Sequence, residues 1–172
     1  QTKSHVALQF TWDSPQHPSR RRLETIINGE IVRLGLKVIT NPADDKIICF
    51  CEVDPSEKRP LAALELGSNI LNLARIEYPQ DQPRCGIGSL AVDLSSWNIS
   101  FKEAGYALEM ASRLQENKPL FYPDLSIYRL LMLLEHHPEL HTYMEDVLGV
   151  LIEQDEKNRL MDTLESYFEH QG

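Results

Sequence analysis

The sequence has few cysteines, no long apolar run and no targeting leader. Its three cysteines among 172 residues lack the spacing of a disulfide framework, and Cys49 and Cys51 lie in an apolar run typical of core residues. The third, Cys85, stands alone. No stretch approaches the ~20 apolar residues of a membrane span, and no charged-then-apolar segment precedes a cleavage site. We therefore expect a cytoplasmic protein of a reducing compartment with no membrane segment.

An excess of basic residues is also missing. Seventeen basic residues against 26 acidic ones give a net charge of −9. DNA is bound through lysines and arginines that displace its counterions, so this composition argues against nucleic-acid binding by the chain itself. The one dense basic run, Arg20 to Arg22, precedes the apolar positions of a helix. We interpret it as a solvated first turn rather than a phosphate patch.

A glycine-rich phosphate loop is absent as well. The segment "CGIGSL" contains Gly86 and Gly88, but a dinucleotide fingerprint needs a third glycine and a helix that starts within the motif. The next helix is predicted to start at Ser100, where Ser-Phe-Lys-Glu has the pattern of a capping box between Ser100 and Glu103. We therefore predict that both glycines lie in a central strand and let a helix approach its backbone.

The patterns that are present predict alternating strands and helices. "HVALQFTW" alternates as a half-covered strand does, and an amphipathic helix follows from Arg20 to Gly35. "LKVIT" and "KIICFCEV" predict a hairpin, Leu61 to Tyr78 a second helix, and "KPLFYPDL" a last short strand. The order favours an α+β, ferredoxin-like antiparallel sheet with helices on one face over residues 1–126, followed by a small helical segment over residues 127–172.

Four segments in order carry a resemblance to a known family: "CGIGSL", "SFKEAGYALEMA", "FYPDLSIYRLLMLLEHHPEL" and "VLGVLIEQDEKNRLMDTLESYFEHQG". They resemble the region before the DNA-binding helices of PucR/CdaR-type bacterial transcriptional regulators, which forms a GGDEF-like domain. The resemblance is good over residues 84–172 and extends only to strand order over residues 5–79. It departs at Val150, where the family often has proline. The sequence ends at "EHQG", where the family continues into a helix-turn-helix.

The resemblance implies a regulatory role in signal transduction. It implies a domain that couples an upstream sensor to a DNA-binding module and helps to set dimer geometry, so that DNA is contacted only through the helix-turn-helix that is absent from this sequence. A small-molecule effector would be sensed elsewhere in the full-length protein. We expect a homodimer to which the helices from Ile127 onward contribute, although their apolar stripes could also close within one chain.

The sharpest rival function is nucleotide cyclisation, which active GGDEF domains perform with a glycine-rich hairpin. Here the hairpin is Asn41 to Asp45, in which Pro42 lacks an amide donor and no glycine lets the backbone approach a nucleotide. We therefore expect that the chain is not an enzyme and assign it no catalytic, cofactor-binding or metal-binding residue. One alternative stays open, a degenerate cyclase-like domain that binds a nucleotide or a small metabolite.

A hard-cation pair is a weaker alternative. Asp13 after the first strand and Asp44 or Asp45 in the hairpin could together hold Mg²⁺. Acidic residues in loops are more often solvated turn formers, and we favour that interpretation.

A histidine cluster is the other candidate for a metal site. His137 and His141 have the i, i+4 spacing of zinc ligands on one helix, and His136 is adjacent. Pro138 falls between them and starts a new helix, so we expect a surface cluster rather than a metal site.

Overall fold

The computed structural model describes residues 3–12, 20–43, 46–134 and 137–154, together with Thr163 and Ser166. The chain forms two compact units, Gln1–Ser126 and Ile127–Gly172. The assignment of residues 1–126 and 127–172 to separate domains stays a prediction.

The elements of the first unit follow the order predicted from the sequence. Their bounds are β1 Ser4–Trp12, α1 Arg20–Leu34, β2 Val38–Pro42, β3 Ile47–Val53, α2 Leu61–Glu77, β4 Pro83–Ala91, α3 Leu94–Arg113 and β5 Leu120–Phe121, with a 3₁₀ turn at Tyr122–Leu125. The five strands form one sheet in the order β2-β3-β1-β4-β5. Strand β1 is central and antiparallel to both β3 and β4, β2 is antiparallel to β3, and β4 and β5 are parallel. The predicted α+β, ferredoxin-like class is confirmed.

One face of the sheet is covered by α1 and α2. The side chains that alternate along β1, from Val6 to Trp12, pack there with residues of both helices such as Ile27 and Leu66. Burial of each large aliphatic side chain contributes about 1.5–3 kcal/mol relative to exposure, which makes this face the main core. Helix α1 ends as predicted at Gly35, whose φ of +64° is the left-handed conformation that favours glycine.

The opposite face is covered by α3, which differs in detail from the prediction that helices lie on one face only. Gly86 and Gly88 bring β4 so close to α3 that a Cβ on either residue would overlap helix backbone. Ala7 and Gln9 of β1, the strand predicted to be half-covered, are both buried. Each forms a hydrogen bond with α3, Ala7 N with the Ser100 hydroxyl and Gln9 Nε2 with the carbonyl oxygen of Phe101. The small residues of α3 allow this approach, because a helix faced with alanine can lie closer to a sheet than one faced with leucine.

The start of α3 corrects another prediction. The helix begins at Leu94, and its capping box is formed by Asp93 and Ser96 rather than by Ser100 and Glu103. Asp93 accepts hydrogen bonds from the Ser95 hydroxyl at 2.7 Å, from Ser96 N at 2.8 Å and from the Ser96 hydroxyl at 2.8 Å. Together these bonds lower the pKa of Asp93 to about 2. Ser100 lies buried one and a half turns into the helix. Asp-Leu-Ser-Ser lacks the Glu or Gln that the capping pattern has at its fourth position, so the sequence favoured Ser-Phe-Lys-Glu. In the structure the Ser100 hydroxyl accepts a hydrogen bond from Ala7 N of β1 instead.

The second unit contains two described helices, α4 Ile127–Leu134 and α5 Pro138–Gln154. The start of α5 at Pro138 was predicted from the sequence. Along α4 the apolar residues Ile127, Leu130, Leu131 and Leu134 are exposed and share one helical stripe. Among residues 3–12, 20–43, 46–134 and 137–154, none of the helices is both long enough and apolar enough to cross a bilayer.

Candidate functional site

A groove of about 310 Å³ runs between the first two helices. We call it the α1–α2 groove and define it by its lining: Arg22, Thr25, Ile26, Gly29, Glu30, Leu73, Glu77 and Tyr78. The α1 residues recur at spacings of three and four, which places them on one face of that helix. Gly29 has no atom within 4 Å of the position that its Cβ would take, so the missing side chain leaves the middle of the groove open.

Tyr78, one of the lining residues, belongs to an aromatic pair. The ring of Tyr78 packs edge-on against Trp12 with 5.5 Å between centroids, and the guanidinium of Arg22 lies 5.3 Å from the Tyr78 ring. Trp12 is the last residue of β1, so Tyr78 packs on the carboxyl end of the central strand. The indole Nε1 of Trp12 is buried and has no hydrogen-bond partner within the described structure. A buried donor without an acceptor costs about 1–3 kcal/mol, but Trp12 is not among the lining residues, so this donor is not presented to the groove.

The groove also contains a buried carboxylate. Glu30 is 6% exposed and accepts a bidentate pair of hydrogen bonds from Arg33, at 2.9 Å from Nε and 2.7 Å from Nη2. These bonds lower the pKa of Glu30, and burial opposes them. The carboxylate is therefore ionised at neutral pH. With Arg22 the groove offers a ligand both an anionic and a cationic contact.

The hairpin predicted to decide cyclase chemistry lies between β2 and β3. Strand β2 runs through Pro42, and Ala43 N donates a hydrogen bond of 2.8 Å to Lys46 O to close the turn. Asp44 and Asp45 lie outside the described residues, and so does Asp13. The suggested cation pair is therefore not placed by the structure.

The two histidines that the structure describes in this cluster, His137 and His141, are both exposed. His137 Nδ1 accepts a hydrogen bond of 3.3 Å from Glu139 N at the start of α5, and His141 is exposed on that helix. His136 lies outside the described residues. Among the described histidine, cysteine, aspartate and glutamate residues, no group of three is arranged to hold a metal ion.

Cys49 and Cys51 are buried, as their interpretation as core residues predicts, and Cys85, for which no such prediction was made, is buried too. Burial raises the pKa of Cys49 to about 12 and that of Cys51 to about 11, and it raises the pKa of Cys85 well above the ordinary value. A thiol becomes a nucleophile only as the thiolate, so none of the three has the environment of a reactive cysteine.

The sequence analysis did not identify Glu30 and Tyr78 as parts of one site or Trp12 as a contact of Tyr78. A signal for Glu30 was available, because it lies on the stripe of Ile27 and Leu34 where an apolar residue is expected, with an arginine one turn later. For Tyr78 and Trp12 no comparable signal exists, because they are brought together by the packing of α2 on the sheet.

Comparison with known proteins places the fold. The structure is similar to the active GGEEF domain of a diguanylate cyclase from Vibrio cholerae, with a TM-score of 0.52 and 14% identity over 70% of this chain and 83% of that one. It is also similar to an EAL/GGDEF domain protein from M. capsulatus, with a TM-score of 0.44 and 20% identity over 69% and 84% of the two chains. No curated protein matches the sequence.

These comparisons correct one expectation. The expectation that the chain is not an enzyme is contradicted, because its fold is that of a domain from an active diguanylate cyclase. At 14% identity the likeness shows the fold alone, so it does not assign the cyclase reaction to this chain.

The sequence itself carries the family assignment. The family model described as a GGDEF-like domain matches residues 1–110, which include β1 to β4 and most of α3. This match covers more than half of the 172 residues, and the five-stranded sheet agrees with it. The chain belongs to the family of GGDEF-like domains.

Proposed function

We propose that this chain is a regulatory part of a bacterial transcriptional regulator of the PucR/CdaR type, coupling a sensory region to a DNA-binding module. The observation that carries the proposal is the close packing of α3 on β4. Gly86 and Gly88 of "CGIGSL" seat the helix "SFKEAGYALEMA" on the strand. These are two of the four segments that resemble such regulators, and the GGDEF-like family match covers both of them almost completely.

Dimerisation is part of this proposal. Along α4, Ile127, Leu130 and Leu134 are between 42% and 57% exposed and lie on one stripe. Regulators that bind paired half-sites act as two-fold dimers, and a two-fold interface needs a self-complementary apolar patch of this kind. A monomer would leave the stripe in water at a cost in solubility.

Sedimentation velocity at tens of micromolar protein tests the dimer. We expect the wild type to sediment as a dimer and the variant Leu130→Glu/Leu134→Glu as a monomer. Val32→Glu is the matched control, because Val32 is an exposed apolar residue of α1, outside the stripe, and its replacement should leave the dimer intact. A wild-type monomer, or a double variant that remains dimeric, would reject this interface.

Gel retardation with the promoter region of the same gene tests the regulatory role. The complete gene product should retard the fragment at physiological salt, whereas residues 1–172 alone should not, because their net charge of −9 opposes binding to a polyanion. Retardation by residues 1–172 alone would place the DNA-reading element within them and contradict the proposal.

A second candidate function is the binding of a nucleotide or small metabolite in the α1–α2 groove. The Arg22 guanidinium over the Tyr78 ring favours it, because both residues line the groove. Purines offer a ring face to an aromatic or guanidinium partner. This function is compatible with the first, because an effector could act through this groove.

Thermal unfolding with GTP and a metabolite panel tests the groove, since any ligand of the native state raises the melting temperature. Arg22→Gln should reduce the shift that a binding compound produces. Arg21→Gln is the control, because Arg21 is exposed on the same turn and does not line the groove. No shift with any compound, or equal loss in both variants, would reject the groove as the site. A parallel assay of GTP turnover shows whether binding is accompanied by catalysis.

A further inference from the structure

A second groove of about 340 Å³ lies on the other side of α2, against the segment that leads into β5. We call it the α2–β5 groove and define it by its lining: Ser68, Asn72, Arg75, Asn117, Lys118 and Pro119. The three α2 residues are spaced by four and then three positions, which places them on one stripe of that helix. This stripe is distinct from the one that Leu73 and Glu77 present to the α1–α2 groove.

The shape of the groove depends on Gly67. A Cβ at this position would come within 3.0 Å of Pro119 Cγ and 3.3 Å of Cys85 Sγ. The missing side chain therefore lets the segment before β5 lie directly against α2. Asn117 and Lys118, both exposed, line the rim of the groove that Arg75 also lines.

Positive charge is concentrated at this groove. Arg75 Nη2 donates a hydrogen bond to the carbonyl oxygen of Asn117, and the fully buried Arg84 donates one of 3.0 Å to the carbonyl oxygen of Glu116. The two guanidiniums thus contact neighbouring peptide units. Lys118 adds an exposed ammonium, and none of the lining residues that the structure describes carries a carboxylate.

The electrostatic consequence is visible at Arg75. Burial and the nearby charge of Arg84 both lower the pKa of Arg75. Arg75 and Arg84 repel each other, and an anion bound at Arg75 would offset that repulsion. This concentration of cations stands out in a chain whose net charge is −9.

We propose that the α2–β5 groove binds a phosphate group. Its polar side chains are a guanidinium, an ammonium, two carboxamides and a hydroxyl, all of which can donate hydrogen bonds. Arg75 uses one N–H on Asn117 O and keeps others for a ligand, and a planar guanidinium suits phosphate oxygens. Free inorganic phosphates and the phosphates of a nucleotide share this chemistry.

Calorimetric titration with inorganic pyrophosphate tests the proposal. The wild type should bind saturably, and affinity should fall as salt increases, because the contacts are ionic. Arg75→Gln/Lys118→Gln should weaken binding by about tenfold or more, as expected for loss of charge-assisted hydrogen bonds. Lys102→Gln is the control for net charge, because Lys102 is exposed on α3 and does not line the groove; its affinity should equal that of the wild type.

A second variant separates loss of binding from a folding defect. This control is needed because Arg75 also donates a hydrogen bond to Asn117 O, and its loss could disturb that segment. Lys118 is exposed, and Lys118→Gln removes a charge from the rim alone. It should weaken pyrophosphate binding by about threefold, the size expected for an exposed charge pair, with an unchanged urea midpoint. Absence of saturable pyrophosphate binding by the wild type, or equal weakening by Lys102→Gln, would overturn the proposal.

The source of the phosphate is separated by repeating the titration with GTP. If GTP competes with pyrophosphate and the double variant weakens both, the groove accepts nucleotide phosphates; if GTP does not compete, it accepts free phosphates. Arg22→Gln should leave pyrophosphate binding unchanged, because Arg22 lines the other groove. The proposal and the second candidate function can therefore fail independently.

Discussion

Replacement of Gly88 by alanine should destabilise the first unit by separating α3 from the sheet. The added methyl would overlap the carbonyl oxygen of Ser100 and stand 2.7 Å from its carbonyl carbon. Carbon atoms pack at about 3.5 Å or more, so the carbon contact alone requires the helix to retreat by about 0.8 Å, and the closer oxygen requires more. Because the obstacle is helix backbone, no side-chain rotation relieves the overlap.

The energetic cost has two parts. Overpacking of a core costs about 1–3 kcal/mol. Retreat of α3 also lengthens the buried bond of 2.9 Å from Ala7 N to Ser100 Oγ, and an unsatisfied buried donor costs about 1–3 kcal/mol. We therefore expect Gly88→Ala to lower the free energy of unfolding by about 2–6 kcal/mol, a large part of the stability of an ordinary domain. Gly86→Ala should behave alike, since its methyl would stand 2.8 Å from Leu108 Cα.

Urea unfolding of Gly88→Ala and Gly29→Ala measures the effect with a matched control. Gly29 lies inside α1 with no atom within 4 Å of its Cβ position. Alanine is the better helix former there, so Gly29→Ala should raise the free energy of unfolding by about 0.5–1 kcal/mol. The reasoning is refuted if Gly88→Ala lies within 0.5 kcal/mol of the wild type. Failure of Gly88→Ala to fold, while Gly29→Ala folds, agrees with it.

Three further predictions concern the thiols, the helix cap and the domain limits. The three cysteines should resist a thiol reagent at pH 8 in the native protein and react after denaturation. With a pKa of about 11, even Cys51 is a thiolate at pH 8 in only about one molecule per thousand. Fast labelling of the native protein would contradict the burial of these thiols. The pKa of Asp93 is lowered from 3.8 to about 2, so its cap stabilises the fold above about pH 4 and this stabilisation is lost as the pH falls from 4 to 2. Asp93→Ala should therefore lower the urea midpoint at pH 7, and the midpoint of the variant should fall less than that of the wild type between pH 4 and 2. An equal fall of the two midpoints would rule out the cap. Residues 1–126, as an isolated fragment, should unfold in one cooperative transition by circular dichroism, and a fragment without such a transition would show that the first unit depends on residues 127–172.

The regular part of the fold could be predicted because its signals are local. The alternation from Val6 to Trp12, the helical stripe that ends at Gly35 and the two glycines in β4 each depend on residues close in sequence, and the order of elements follows from them. Such patterns identify which side chains face a core. They do not identify which element covers the second face, and that is why α3 was placed with the other helices.

The site was harder to predict because its contacts are distant in sequence. Ser100 fits a capping box, yet its hydroxyl accepts a hydrogen bond from Ala7 N, 93 residues away, and the helix starts earlier. Arg84 is fully buried in β4. The local pattern cannot predict a buried charge there, because the groups that accept its hydrogen bonds include Gln115 and Glu116, which follow α3. Local rules fail at such positions because tertiary contacts satisfy the polar groups.

Helix α2 separates the two grooves, and this arrangement decides whether they can be studied apart. One stripe of the helix, with Leu73 and Glu77, lines the α1–α2 groove, and another, from Ser68 to Arg75, lines the α2–β5 groove. Between the stripes lie Leu71 and Ala74, which are buried in the main core. A close-packed interior resists displacement, so a side-chain change in one groove reaches the other only by moving the whole helix. Effects of substitutions in the two grooves should therefore add, as they do for separate sites without shared partners. Any departure from additivity would measure a shift of α2 itself, which is the movement that a domain coupling a ligand to a partner would need.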